Sequence, residues 1–265
     1  MKILVIGDPH GEVKKIKEKG IDLVLITGDL GKATLARKHF FDNIKRKQEG
    51  ILEKEYTKAE RKAVVREIHD STLSVLKFYS KIAPVYTLQG NVGINGTVGV
   101  KEEREKYGIN VPNTRVQINK IRDVNLVKNR LRNLNGLRIG FLEYFVDTSW
   151  VKEFKPKDYD NKLREAKKET DKAKRILKGF NGLDILVCHQ PPFGILDEVT
   201  GKYNPPKSWI GKHAGSKVIL DYIKRAKPKY VFCGHIHEAK GKESIGETDI
   251  FNVGYNGDYL IVDID

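Results

Sequence analysis

The sequence predicts an α/β fold built around parallel strands, on three observations. Short apolar, β-branched runs recur along the chain, each stops abruptly at a glycine, a proline or a polar pair, and amphipathic helical stretches lie between several of them. Such runs suit strands buried on both faces. Ligands of open α/β sheets bind beyond the carboxyl ends of strands, so the residues that end each run are where chemistry is expected.

The first run, Ile3 to Ile6, is stopped by Gly7 and Pro9 and delivers Asp8 and His10. An acid and an imidazole at one tip suit a metal, although Asp-Pro-His-Gly also reads as an ordinary turn. Val13 and Ile16 among charges predict a short amphipathic helix over Glu12 to Lys19, stopped by Gly20. Ile21 to Thr27 is the second strand, and Gly28-Asp29 brings a second carboxylate to a neighbouring tip. Residues 33–50 and 57–82 read as two helices in a hairpin beside the sheet, the second with Val65, Ile68, Thr72, Val75, Leu76 and Tyr79 on one face. His39 and His69 fall within them and read as packed or solvated residues.

A third strand, Pro84 to Leu88, ends at Gly90-Asn91-Val92-Gly93, where Asn91 is either a turn residue or a neutral oxygen ligand. Lys101 to Tyr107 reads as a short charged helix. Between about Arg115 and Ile139 only Val124 to Val127 and the start of Leu137 to Leu142 suggest strands. Trp150 to Gly179 is strongly basic and helical from Tyr159, either a solvated face or a landing surface for a polyanion. Leu183 to Cys188 ends in His189. The long connection Phe193 to Lys212, carrying Tyr203 and Trp209, reads as a lid or substrate wall. His213 precedes a helix with Ser216 near its amino end. Lys229 to Cys233 ends in Gly234-His235-Ile236-His237. Asp249 to Val253 and Tyr259 to Asp263 read as a closing hairpin around Asn256-Gly257.

The 265 residues show no linker or low-complexity break, so residues 1–265 are expected to form one domain with a helical insertion at about 33–82. No apolar stretch approaches the ~20 residues of a membrane span, no signal peptide is visible, and Cys188 and Cys233 sit in apolar runs as buried thiols; a cytoplasmic protein is expected. The net charge of +14 draws anionic substrates and suits nucleic acid. The same lysines and glutamates fit a heat-adapted composition without any such partner. Oligomeric state is not written in the chain.

The strand tips carry Asp8, His10, Asp29, Asn91, His189, His235 and His237, seven oxygen or imidazole donors without a thiolate. One cation uses some of them, and two use all if a carboxylate bridges. The set suits Mn, Fe, Zn, Co or Ni over Ca or Mg. Asp8-x-His10, Gly28-Asp29, Gly90-Asn91, His189 and Gly234-His235-x-His237 together resemble, in order and over nearly the whole chain, the calcineurin-like metallophosphoesterases. The resemblance implies a four-layer αββα sandwich with two divalent metal ions, manganese foremost. By it, Asp8, His10, Asp29 and His237 hold one ion, and Asn91, His189, His235 and bridging Asp29 the other. It further implies attack by a metal-bridging hydroxide on a bound phosphoester.

One departure stands out. Many members follow Gly-Asn with a histidine that serves the leaving group or the transition state, and here Val92 occupies that position. A proton donor worth about 10²–10⁴-fold is missing there. The departure favours phosphodiesters of a nucleotide, cyclic nucleotide or nucleic acid. A phosphomonoester phosphatase, or a non-catalytic scaffold that binds a protein, are the alternatives. His213 is the candidate replacement acid, with helix capping as its plainer reading. Tyr203 and Trp209 are candidates to stack on a planar leaving group, or simply to pack the loop.

Overall fold

The structure is a computed structural model that describes residues 1–203 and 205–264. Two mixed sheets lie face to face. The first has the order β11-β1-β2-β3-β4, from Tyr259–Asp263 (β11), Lys2–Ile6 (β1), Leu23–Ile26 (β2), Val85–Thr87 (β3) and Val124–Leu126 (β4). The second has the order β5-β6-β7-β8-β10-β9, from Arg130–Leu134 (β5), Leu137–Leu142 (β6), Ile185–Cys188 (β7), Tyr230–Cys233 (β8), Thr248–Asn252 (β10) and Gly241–Ile245 (β9). The inner strands of each sheet are parallel, and antiparallel partners close β1, β6 and β10.

Strand alternation builds the layers. In β1, Ile3 and Val5 point between the sheets, against Ile139, Phe141, Ile185, Val187 and Phe232 of the other sheet. Leu4 and Ile6 face outward against Val75, Leu76 and Tyr79 of the long helix α2, Lys58–Tyr79. The outer face of the second sheet, with Leu186, Cys188 and Val231, is covered by α6 (Tyr159–Lys178) and α7 (Lys217–Ala226). Both faces of each parallel core are thus buried, which explains the continuous apolar runs.

Other helices are α1 (Thr34–Gln48), α3 (Thr97–Tyr107), α4 (Thr114–Ile118) and α5 (Thr148–Phe154). Thr57 starts α2 with a capping box completed by Glu60. Ser216 caps α7, accepting from Ile219 N at 3.2 Å. Helix α1 buries none of its residues; it leans on α2 while α2 forms the outer layer. Cys188 and Cys233 are buried and unbridged, and among the described residues no helix is long and apolar enough to cross a membrane.

Four sequence expectations need correction. Glu12 to Lys19 is not helical. A segment of that length cannot sustain a helix alone, and its amides find other partners: Glu12 N donates to Pro9 O at 2.9 Å and Lys14 N to the Tyr79 hydroxyl at 3.3 Å. The tail is not a hairpin. Asn256 (φ 53°) and Gly257 (φ 70°) do take left-handed conformations, but the strands around them enter different sheets. The edge of β10 is taken by β9 through a two-residue loop, and β11 instead closes the edge of β1. Residues 115–139 hold a strand and a helix that sequence left unassigned, β5 and α4, because polar edge strands such as Arg130–Leu134 lack an apolar run. The Phe193–Lys212 connection is partly ordered, with a 3-10 turn at Lys207–Trp209 and a bridge between Glu198 and His213; Asn204 lies outside the described residues.

Candidate metal centre

The carboxyl ends of β1, β2, β3, β7 and β8 converge at one edge of the sandwich, so donors from both sheets meet there. Asp8 is fully buried. Its Oδ1 accepts from Thr27 Oγ1 at 2.8 Å and its Oδ2 from His235 N at 2.5 Å. Asp29 is 1% exposed, and its Oδ1 accepts from Val92 N at 2.7 Å. His189 Nδ1 lies 3.1 Å from Thr27 O and donates to it, which fixes the tautomer and leaves the Nε2 lone pair facing the site.

Two overlapping groups of donors result: Asp8, His10 and His237, and Asp8, Asp29 and His189, the ligand atoms of each within 4.8 Å of one another. Asp8 therefore faces both groups. Asp29 spans them too, with Oδ1 3.6 Å from His189 Nε2 and Oδ2 3.7 Å from His10 Nε2. His10 Nε2 lies 3.2 Å from His237 Nε2. Asn91 Oδ1 sits 2.6 Å from His189 Nε2 and 2.9 Å from His235 Nδ1. So many lone-pair atoms converging is an arrangement suited to cations. The buried Asp/His clusters are consistent with a metal site.

The electrostatics fit this. Burial pushes the Asp8 carboxyl up, but His189, His237 and His10 outweigh it and hold it below the usual carboxylate range. Burial lowers His10 to about 4 despite Asp29 and Asp8, and drives His235 well down. Burial opposes protonation of His189 too, yet Asp29 and Asp8 raise it. His10 and His235 are thus neutral donors near neutrality.

Local backbone geometry is also specialised. His10 (φ 47°), Asp29 (φ 44°) and His235 (φ 67°) all occupy the left-handed region, uncommon for residues with a Cβ. Glycines admit the carboxylates: a Cβ on Gly234 would lie 2.3 Å from Asp8 Oδ1, and one on Gly90 2.4 Å from Asp29 Oδ1.

The other sequence candidates separate. Tyr203 is at the site's rim, 6.3 Å from the His237 ring and 5.4 Å from Tyr255, itself stacked on His237 at 4.6 Å. Trp209 instead packs edge-on to Phe154, in a cluster with Val199, Ala214 and Ile236, so its ring serves the loop. His213 Nδ1 is held 2.7 Å from buried Asp197 and its ring lies beside Phe193; neither partner belongs to the donor groups. His39 stacks on Tyr56 and His69 bonds Thr114, as packed helical residues do.

Sequence reading missed four neighbours. Tyr144 lies 5.2 Å from the His235 ring and 5.8 Å from that of His189, its phenol pushed by burial up to about 12. Buried Glu143 accepts from Gln89 N at 3.0 Å. Both follow β6, and Tyr255 follows β10, so the rule that found the other tips would have found them. Arg37, whose Nη2 lies 3.1 Å from His10 Nε2, comes from α1 and had no such signal.

Comparison with known proteins agrees with the geometry. Residues 1–239 match the family described as calcineurin-like phosphoesterase. UPF0046 protein C25E10.12 of Caenorhabditis elegans is 31% identical over 86 residues, 31% of this chain and only 29% of that protein's length. One solved structure aligns over 100% of this chain and 99% of its own at a TM-score of 0.56 and 15% identity. Phosphopantetheinyl hydrolase of Mycobacterium tuberculosis aligns over 96% and 90% at a TM-score of 0.52 and 13% identity, a likeness of fold. With its donors gathered at one sandwich edge and nearly its whole length matched, this chain belongs to the calcineurin-like phosphoesterase family.

Proposed function

We propose that this protein is a hydrolytic phosphoesterase that holds two divalent cations and favours phosphodiesters of a nucleotide, cyclic nucleotide or nucleic acid. The observation that carries the reading is the place of Asp29 between the two sets of donors, with Oδ1 toward His189 Nε2 and Oδ2 toward His10 Nε2. Two cations supply Lewis acidity, lowering the pKa of a bound water and offsetting charge on the phosphoryl oxygens. Asp8, His10, Asp29 and His237 are the ligands of one cation in this reading; Asn91, His189 and His235 join Asp29 at the other. The chain keeps these donors oriented: Thr27 and the His235 amide hold Asp8, the Val92 amide holds Asp29, and the Thr27 carbonyl holds His189. Manganese is the first ion to test, with iron, zinc, nickel and cobalt suiting the same donors.

Val92 supports the diester preference. It is 9% exposed and gives the site only its amide, so no imidazole stands there to meet a dianionic monoester or protonate its leaving oxygen. Tyr203, edge-on to His237 and Tyr255, offers an aromatic wall for a planar leaving group.

The test is hydrolysis of nitrophenyl phosphodiester and phosphomonoester by manganese-loaded protein. Diester cleavage, lost in Asp29→Ala and His237→Ala, is the expected result. Monoester preference would overturn the diester reading. Absence of hydrolysis across the five metals, with protein folded and metal bound, would leave the fold as a binding scaffold.

A further inference from the structure

On the His10 side, the donor groups open into a cleft of about 450 Å³ whose wall includes Lys14, Lys32, Arg37, Asn256 and Glu12. Lys14 is committed to Asp258. Lys32 and Arg37 are not: neither forms an ion pair with a carboxylate among the described residues. Arg37 Nη2 lies 3.1 Å from His10 Nε2, the nitrogen that a bound cation takes in the proposed reading, and its guanidinium donors have no other acceptor among the described residues. Two uncommitted cations beside a phosphoester site favour a second anion, and a guanidinium fork matches the oxygens of phosphate. Among the described residues Glu12 is the one acid of the wall, and it is exposed to solvent.

We infer that this cleft is a subsite for a second phosphoryl group, held by Arg37 and Lys32, so that the preferred substrate carries two phosphates joined by a short linker. The inference rests on the phosphoesterase reading and narrows its substrate class. It also assigns a task to α1: its first turns bring Arg37 to the site although the helix buries nothing in the core. The second phosphate belongs either to an adjoining nucleotide or to an anhydride chain, and the chemistry at Arg37 is the same for both.

The test has a kinetic and a binding arm. In the first, manganese-loaded protein cleaves the p-nitrophenyl ester of thymidine 3′-phosphate with and without a 5′-phosphate. The added phosphate should raise kcat/KM about tenfold or more, chiefly through KM, and Arg37→Gln and Lys32→Gln should each erase most of that gain. Lys38→Gln, one position along α1 and outside the cleft, is the control. Because Arg37 touches His10, metal content is measured for every variant; Lys32, which touches no donor, decides the matter if Arg37→Gln loses metal. In the second arm, metal-free protein is titrated calorimetrically with thymidine 3′,5′-bisphosphate, adenosine diphosphate and thymidine 5′-monophosphate. Tighter binding of the bisphosphate points to an adjoining nucleotide, and tighter binding of the diphosphate to an anhydride. Equal handling of singly and doubly phosphorylated compounds, or the same proportional loss for both in Lys32→Gln, overturns the inference. Failure to hydrolyse either ester refutes the phosphoesterase reading alone, since the binding arm still decides whether the subsite exists.

Discussion

Replacing Gly234 with alanine should weaken metal binding at the candidate centre while leaving the fold standing. The Cβ so created would lie 2.3 Å from Asp8 Oδ1 and 2.7 Å from Oδ2, whereas real Cβ atoms keep at least 3.0 Å from such neighbours. The carboxylate must therefore retreat by about 0.7 Å, several times the ~0.2 Å tolerance of a metal–ligand bond. Asp8 cannot retreat freely, because Thr27 Oγ1 and the His235 amide hold its two oxygens. A loss of about 10–100-fold in metal affinity follows by analogy with disrupted ligand support. The assay is metal content by mass spectrometry after dialysis against limiting manganese, with circular dichroism to confirm folding. Gly93→Ala, where a Cβ meets nothing within 4 Å, is the matched control from the same edge. Wild-type manganese content in Gly234→Ala would refute both the cradle and the place of Asp8 as a ligand.

Metal-free protein should be most resistant to urea near pH 6.5. His10, lowered to about 4, and His235 bind protons more readily in the unfolded chain, so stability is lost as pH falls below 6.5 through their folded values; His189, raised, contributes stability that is lost as pH rises through its folded value. A urea midpoint that rises without a break from pH 5 to 9 would contradict this. Glu103→Ala should cost about 3 kcal/mol by urea titration, since buried Glu103 clamps Arg61 between α2 and α3 at 2.9 and 3.0 Å from Nε; a change within 0.5 kcal/mol would show the clamp to be idle. Native protein should leave both cysteines unlabelled by a thiol reagent, with two labelled in guanidinium, because burial raises the thiols at Cys188 and Cys233.

The strands that deliver the donors were legible in the sequence for one reason: they lie in parallel cores covered on both sides. The runs ending at Asp8, Asp29, Asn91, His189 and His235 could be read because a parallel core demands uninterrupted apolar residues, and each polar tip stands out against its run. Where one side faces solvent the signal fades, as in β5 and β9, whose residues are half-buried or exposed. The tail misled because Asn256-Gly257 has the backbone of a hairpin turn, whereas pairing is settled by open sheet edges far away in sequence. Arg37 was invisible for a related reason: a cation on a solvated helix looks like every other one until tertiary packing sets its guanidinium beside His10. Trp209 and His213 are the reverse case, conspicuous residues in and just after a long loop whose partners here, Phe154 and Asp197, lie outside the donor groups.

The donors are divided between the sheets. Asp8, His10, Asp29 and Asn91 extend from strands of one, and His189, His235 and His237 from strands of the other. Any ion gripped by Asp8, His10 and His237 is therefore a staple across the sandwich, joining chain segments 227 residues apart in sequence at the rim of an otherwise apolar, non-directional interface. Its affinity adds to the cohesion of the two layers by mass action, about 2.7 kcal/mol at a hundredfold excess over the dissociation constant. The spacing of the sheets and the reach of the ligands are then one mechanical variable, so a core substitution that pushes the layers apart registers at the rim as a loss of metal.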